Sequence, residues 1–175
     1  MTGATEWAIR DAVANDAARL ALVGAATFLD GFAGVIDGDA MVAHCARAHG
    51  RDYYAGLLAR DDVTGWIAEI ATTGSPVGYC LLTDADLPGA GNGDLEVKRI
   101  YSLARFHGSG IGRALMERAI GAARARGARR LMLGVYVGNH RAIAFYKRHG
   151  FEIVGARRFT VGDQTCEDHV MAMGL

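Results

Sequence analysis

The chain has 175 residues, of which 51% are hydrophobic and only two are proline, so it is expected to form one domain, residues 1–175, with a well-buried core. No run of 18 apolar residues occurs, and Met1–Arg10 lacks the basic-then-apolar order of a secretory signal, which favours a cytoplasmic protein without a membrane partner. Cys45, Cys80 and Cys166 are odd in number and far apart, which argues against a disulfide framework or a zinc knuckle. We expect three buried thiols and no metal site.

The 19 basic and 19 acidic residues cancel, but they are distributed unequally along the chain. Residues 1–96 hold 5 Lys/Arg and 14 Asp/Glu, residues 97–158 hold 14 and 2, and residues 159–175 hold none and 3. Two interpretations follow. In the first, the charges are solvated faces of helices. In the second, the basic part meets a polyanion and the acidic part meets a cation.

Hydrophobic periodicity predicts strands and helices in the order of an α+β domain. The predicted strands are residues 7–13, 65–72, 76–84, 94–104, 130–137, 151–161 and 166–173, and the predicted helices are residues 17–29, 39–49, 52–60, 112–127 and 140–150. Asn15 or Asp16 is expected to cap the first helix and Asn139 the last, and the turn sequence TTGS indicates a hairpin. The order predicts a mixed sheet with helices between its strands.

The stretch RFHGSGIGRALM, residues 105–116, places three glycines between a predicted strand and a predicted helix. The first amides of a helix lack intrahelical partners and lie at the positive end of its dipole, so bare backbone there favours an anion such as a diphosphate. The stretch does not fit a P-loop, which needs a Gly-Lys pair, or a dinucleotide fingerprint, whose last glycine is replaced by Arg113. A purely structural turn is the alternative.

The segments IYSLARFHGSGIGRALMERAI and LGVYVGNHRAIAFYKRHGFEIVG resemble the core of the GNAT superfamily of acetyl-CoA-dependent N-acetyltransferases. The resemblance implies the GNAT fold, with a mostly antiparallel sheet flanked by helices, and acetyl-CoA as co-substrate. It also implies that the strand before the glycines holds the pantetheine arm and that the loop amides bind the pyrophosphate. The residues implied to bind the cofactor are Ile100, Tyr101, Ser102, His107, Gly108, Ser109, Gly110, Ile111, Gly112, Arg113, Asn139 and Lys147.

His107 stands where the family usually has Arg or Gln. Arg105 satisfies the same pattern two residues earlier, but the register that starts at His107 lets GIGRALM open the helix, and we prefer that register. Because the loop amides do most of the binding, His107 is expected to contact phosphate with less charge than Arg without abolishing binding.

The chemistry of amine acetylation suggests further residues. An alkyl amine has a pKa of about 10 and arrives mostly protonated, so a base is required. Glu96, on the strand that leads to the glycines, is the candidate, directly or through one water; an ion pair with Lys98 or Arg99 on a wet face is the alternative. A backbone N–H around Ile100 would stabilise the oxyanion. The resemblance implies that Tyr146 protonates the leaving thiolate, with a core aromatic as the alternative.

The acceptor is expected to be a small polycationic amine. LEVKRIY, NHRAIAFYKRHGF and FTVGDQTCEDHVM look most like bacterial polyamine N-acetyltransferases of the spermidine/spermine type. Aspartates in or beside predicted loops would line a cation pocket together with Glu96; they are Asp30, Asp37, Asp39, Asp84 and Asp86. Singly, each of these aspartates is better explained as a turn or cap residue.

Other functions stay open or are disfavoured. Protein or peptide amines and amino-sugar antibiotics offer the same amine to the same thioester. A nucleic-acid-binding module is disfavoured by a pI near 7.0 and by the acidic first half of the chain. A non-catalytic acetyl-CoA sensor is disfavoured because Asn139 and Tyr146 are both retained. A homodimer is left open, since relatives are often dimers.

Overall fold

The computed structural model describes residues 6–175, and every predicted strand and helix is found there, within three residues at each end. The strands are β1 (Trp7–Asp11), β2 (Thr64–Ile70), β3 (Pro76–Asp84), β4 (Leu95–Ser102), β5 (Arg130–Tyr136), β6 (Glu152–Val161) and β7 (Gln164–Gly174). The helices are α1 (Ala17–Phe32), α2 (Gly38–Ala48), α3 (Arg51–Leu58), α4 (Ile111–Ala125) and α5 (His140–Arg148). The α+β class is confirmed.

The strands form one sheet in the order β1-β2-β3-β4-β5-β7-β6. All neighbouring strands are antiparallel except β4 and β5, which are parallel and are connected through α4. The TTGS hairpin is confirmed, since β2 and β3 pair directly across it. The sheet is therefore mixed and mostly antiparallel, as the resemblance implied.

Helices cover both faces of the sheet, and side-chain alternation along the strands decides which residues each helix meets. On one face, Leu131 and Leu133 of β5 share a buried cluster with Leu115 of α4. On the other face, Tyr79 of β3 shares a cluster with Leu20 of α1 and with α3. We call this second face, beneath α1 to α3, the α1–α3 face. The candidate site described below lies at a gap in the sheet, which connects the two faces.

Two cap predictions had different outcomes. Asn139 caps α5 as expected, because its Oδ1 accepts a hydrogen bond from the backbone N–H of Ala142 at 3.1 Å. Asp16 does not cap α1. A 3₁₀ turn precedes the helix, so the carboxylate turns back to accept from the N–H of Val13 at 2.8 Å and from the guanidinium of Arg10 at 2.7 and 2.8 Å.

All three cysteines are free, but only Cys80 is buried, whereas Cys45 and Cys166 are half-buried. The expectation of three buried thiols is thus right for one of them. Residues 6–175 include no cluster of three or more metal-ligating side chains. In the same residues, no helix is long and apolar enough to cross a bilayer.

Candidate active site

The sheet opens between β4 and β5. These strands share only two rungs, Leu95 with Leu131 and Glu96 with Met132, although each has seven or more residues. A bulge lies at the point of separation, because Val97 pairs with Leu82 and Arg99 with Leu81, which leaves Lys98 as an extra residue. We call the gap beyond these rungs the β4–β5 opening. Backbone groups of residues 97–102 that point into it have no partner strand.

The glycine loop, residues 107–113, follows β4 and includes the first three residues of α4. Gly108 and Gly110 have φ angles of +83° and +94°, which only glycine adopts without strain, and Gly110 is the N-cap of α4. The N–H groups of Ile111, Gly112 and Arg113 have no backbone partner within residues 6–175. The loop therefore presents free amides at the positive end of a helix, and the prediction that GIG opens the helix is confirmed.

Arg141 places a positive charge beside this loop. The Nε2 atom of His107 lies 3.1 Å from the carbonyl oxygen of Ser102 and 2.9 Å from Nη2 of Arg141. One nitrogen either donates or accepts, so only one of these hydrogen bonds forms at a time. Burial, together with the nearby Arg141, lowers the pKa of His107 and so disfavours a charged ring. The sequence argument missed Arg141, which supplies the charge that His107 lacks.

Lys147 lies on a different side of α5 from the residue that faces α4. The helix face that meets α4 is marked by Phe145, whose ring lies 3.7 Å from the position of a Cβ built on Gly112. Two residues further on, Lys147 is rotated by about 200° around the helix axis. It lines a shallow groove with Phe151, Glu152 and Ile153 instead.

Tyr146 is buried in the core beneath the β4–β5 opening, and its ring packs near those of Phe145 and Phe151. The hydroxyl makes no hydrogen bond within the described part of the chain and is not sealed from solvent. Burial, reinforced by Tyr101 on β4 and Cys80 on β3, raises the pKa of Tyr146 well above its usual value. The phenol is thus protonated and free to donate, which a general acid requires.

Glu96 lies on the last rung before the opening and is only 1% exposed. Its Oε2 accepts a hydrogen bond from the N–H of Asp86 at 3.1 Å, and its Oε1 lies 3.5 Å from Nζ of Lys98. Glu96 therefore forms an ion pair with Lys98, which was the alternative interpretation of the sequence, but its carboxylate is buried and not solvent-exposed. The role of Glu96 as a base stays a prediction.

The acidic residues expected to form one pocket are dispersed. Asp30 accepts a hydrogen bond from the N–H of Ala104 at 2.7 Å, in a groove of about 300 Å³ between the end of α1 and the loop after β4. Asp37 caps α2, and Asp84 pairs with Arg126 at 2.9 Å. Glu96 is eight residues before Ala104, and a strand rises about 3.3 Å per residue, so Asp30 and Glu96 lie at opposite ends of β4. They do not share a pocket.

Charged side chains whose contacts the sequence did not predict lie on the α1–α3 face. Arg99 of β4 contacts Tyr54 of α3 and His49 at the end of α2. Across the opening, the buried carboxylate of Asp168 accepts a hydrogen bond from Nε of Arg157 at 3.0 Å, and burial raises the pKa of Asp168. No sequence signal identifies these groups, because the bulge at Lys98 and the β5-β7-β6 strand order bring them together.

Comparison with known proteins agrees with this geometry. The Acetyltransferase (GNAT) family matches residues 37–151, about two thirds of the chain, including β4, the glycine loop and α5. This chain belongs to the GNAT family. The residues that match the family therefore include those on both sides of the β4–β5 opening and those of the glycine loop.

Two GNAT-fold structures align with nearly the whole chain. One is the PaiA N-acetyltransferase of Thermoplasma acidophilum in complex with coenzyme A, with a TM-score of 0.79, 18% identity and coverage of 97% of this chain and 99% of that one. The other is a GCN5-related N-acetyltransferase of Rhodopseudomonas palustris, with a TM-score of 0.75, 20% identity and coverage of 100% and 99%. At these identities the alignments establish the fold.

Among curated sequences, an uncharacterised N-acetyltransferase of Mycobacterium tuberculosis is 38% identical over 102 residues. The aligned segment covers 58% of this chain and 62% of the mycobacterial protein. The chain thus matches somewhat less than two thirds of that relative, and none of the three names specifies an acceptor amine.

Proposed function

We propose that the protein is an N-acetyltransferase that moves the acetyl group of acetyl-CoA directly to a primary amine in a ternary complex. One observation carries this proposal: in a GNAT family member, a two-rung β4–β5 opening leads into a loop with left-handed Gly108 and Gly110 and free amides on α4. Unpaired strand edges suit an extended amide-containing arm, and free amides at a helix start suit a diphosphate. Acetyl-CoA has both parts, and it supplies an activated thioester.

The binding roles follow from these groups. Backbone atoms of Ile100, Tyr101 and Ser102 would hold the arm, and the amides of the glycine loop would hold the diphosphate, with Arg141 adding positive charge. Asn139 is held in place by its cap bond, which leaves its side-chain N–H groups available to the ligand. Lys147 has no part in this arrangement.

The chain's groups also account for the proton movements. A backbone N–H near Ile100 would donate to the oxygen that becomes negative as the nitrogen–carbon bond forms. The hydroxyl of Tyr146 would donate its proton to sulfur as the carbon–sulfur bond breaks. The amine proton would leave through a water or through Lys98 to Glu96. An ammonium that becomes an amide loses two protons: one returns to the Tyr146 oxygen, which has given its proton to sulfur, and the other leaves Glu96 for solvent, so atoms and charges balance.

A polycationic acceptor such as a polyamine has weaker support than a primary amine in general. The aspartates from which it was inferred have partners of their own and are spread along the molecule. The α1–α3 face also carries a cation, Arg99, close to the opening.

The proposed function is tested by measuring CoA release from acetyl-CoA with a thiol reagent across a panel of amines. The panel contains spermidine, simple diamines, amino acids, an aminoglycoside and a lysine-bearing peptide. Amine-dependent CoA release is the expected result. Tight acetyl-CoA binding without release on any amine would instead identify a non-catalytic binding protein.

A further inference from the structure

Among residues 6–175, the guanidinium of Arg99 makes hydrogen bonds through Nη1 alone. Its Nη1 donates to the hydroxyl of Tyr54 at 2.7 Å and lies 2.9 Å from Nδ1 of His49. The group also lies over the ring of Tyr53, 4.8 Å from the centroid. Nε and Nη2 have no partner within residues 6–175, and neither is sealed from solvent. These two nitrogens form the parallel pair of donors that matches the two oxygens of a carboxylate.

No carboxylate neutralises this charge within the described part of the chain. On the same face, Glu96 pairs with Lys98 and Asp168 pairs with Arg157. Burial, with Arg99 close by, lowers the pKa of His49 to about 3, so the neighbouring imidazole is neutral and is not a counter-ion. Since a partly buried cation without a counter-ion is costly, its retention calls for a ligand that brings the negative charge.

The position and rigidity of Arg99 suit a substrate contact. Arg99 follows the bulge residue Lys98 and precedes Ile100, whose backbone borders the β4–β5 opening. The hydroxyl of Tyr54, which holds Nη1, is itself 3.0 Å from the hydroxyl of Tyr79. The guanidinium is thus oriented by α2, α3 and β3 before any ligand binds, which lowers the entropic cost of recognition.

We propose that Arg99 binds the carboxylate of the amine acceptor, so that the acceptor is an amino acid or another small amine that carries a carboxylate. This inference rests on the proposed acetyl transfer and specifies its acceptor. The amine stands at the opening while the carboxylate pairs with the free edge of Arg99. The same charge repels an acceptor whose additional groups are all cationic.

The first experiment compares matched acceptors that differ in the carboxylate alone. L-Phenylalanine is set against L-phenylalaninamide and phenethylamine, L-lysine against cadaverine, and L-ornithine against putrescine, with CoA release as the readout. We expect kcat/KM to be at least tenfold higher for a carboxylate-bearing member. Equal or better turnover of the decarboxylated amines would overturn this inference and leave the proposed function standing. No release with any amine would overturn both.

The second experiment tests the residue. Arg99→Lys keeps the charge but loses the bidentate fork, and Arg60→Lys, in an exposed pair with Asp62, is the matched control. For Arg99→Lys we expect KM for the carboxylate-bearing acceptor to rise at least tenfold, while KM for acetyl-CoA changes less than twofold. The control should match the wild type in both. An unchanged acceptor KM in a folded Arg99→Lys variant would overturn the assignment, and the wild-type acceptor comparison tests it should that variant not fold.

Discussion

Replacing Gly24 by alanine should destabilise the protein, although alanine is the better helix former. In an open helix interior the exchange stabilises by about 1 kcal/mol. In α1, however, a Cβ at position 24 would lie 2.2 Å from the Tyr54 hydroxyl and 2.7 Å from Nδ1 of His49. Overpacking costs about 1–3 kcal/mol, and displacing the Tyr54 hydroxyl from its hydrogen bonds costs about 1 kcal/mol more. The expected net loss is about 2 kcal/mol.

A loss of this size lowers Tm by about 4–8 °C for a chain of this length, measured by circular dichroism on heating. The matched control is Gly121→Ala in α4, where no atom lies within 4 Å of the added Cβ, and Tm should rise by about 2–4 °C. In a Tyr54→Phe background the shortest contact is absent, so Gly24→Ala should cost less there. If Gly24→Ala were as stable as Gly121→Ala, the close packing of Tyr54 and His49 on α1 would be refuted.

Three further predictions concern the site. Tyr146→Phe should lower turnover at least tenfold with an unchanged KM for acetyl-CoA, because only the proton donor is lost; unchanged turnover would remove Tyr146 from the mechanism. Gly110→Ala forces a side chain into φ +94°, so stability should fall by about 1–2 kcal/mol and Kd for CoA, from calorimetry, should rise; an unaltered Kd would contradict the loop's role. The pKa of His49 is lowered from 6.5, the ordinary value, to about 3 in the folded protein, so the unfolded chain binds the proton first as the pH falls. The free energy of unfolding should therefore decrease by up to about 1.4 kcal/mol per pH unit below pH 6.5. His49→Gln should flatten that slope in urea titrations, and an equally steep slope would show that other groups cause it.

The order of elements and the glycine loop could be predicted because both are local. Alternation along each strand and the spacing of apolar residues in α4 identify the elements without knowledge of their partners. Positive φ angles are adopted mainly by glycine, so the glycines at positions 108 and 110 already indicate them in the sequence. Asn139 likewise meets Ala142 within its own helix turn.

The contacts on the α1–α3 face could not be predicted, because long-range pairing creates them. Asp30 is a loop aspartate in sequence, but the fold places it against Ala104 and gives its carboxylate a backbone donor. In a regular strand Glu96 shares its face with Lys98, and these two residues do pair, whereas Arg99 would point to the opposite face. The bulge at Lys98 turns Arg99 to the face of Glu96, and the sequence does not show the bulge. Lys147 directly follows Tyr146, but in α5 consecutive residues are rotated by about 100° around the helix axis, so the two side chains point in different directions.

The two-rung junction between β4 and β5 also bears on how the molecule holds together. β1 to β4 form one half of the sheet and β5 to β7 the other, and along the sheet itself only the rungs at Leu95 and Glu96 join them. A ligand that spans the junction would connect the two halves of the sheet. The sheet should therefore become more rigid as the fraction of protein with bound ligand increases. Amide hydrogen exchange along β5 should therefore slow when CoA binds, while exchange along β2, within one half, stays the same.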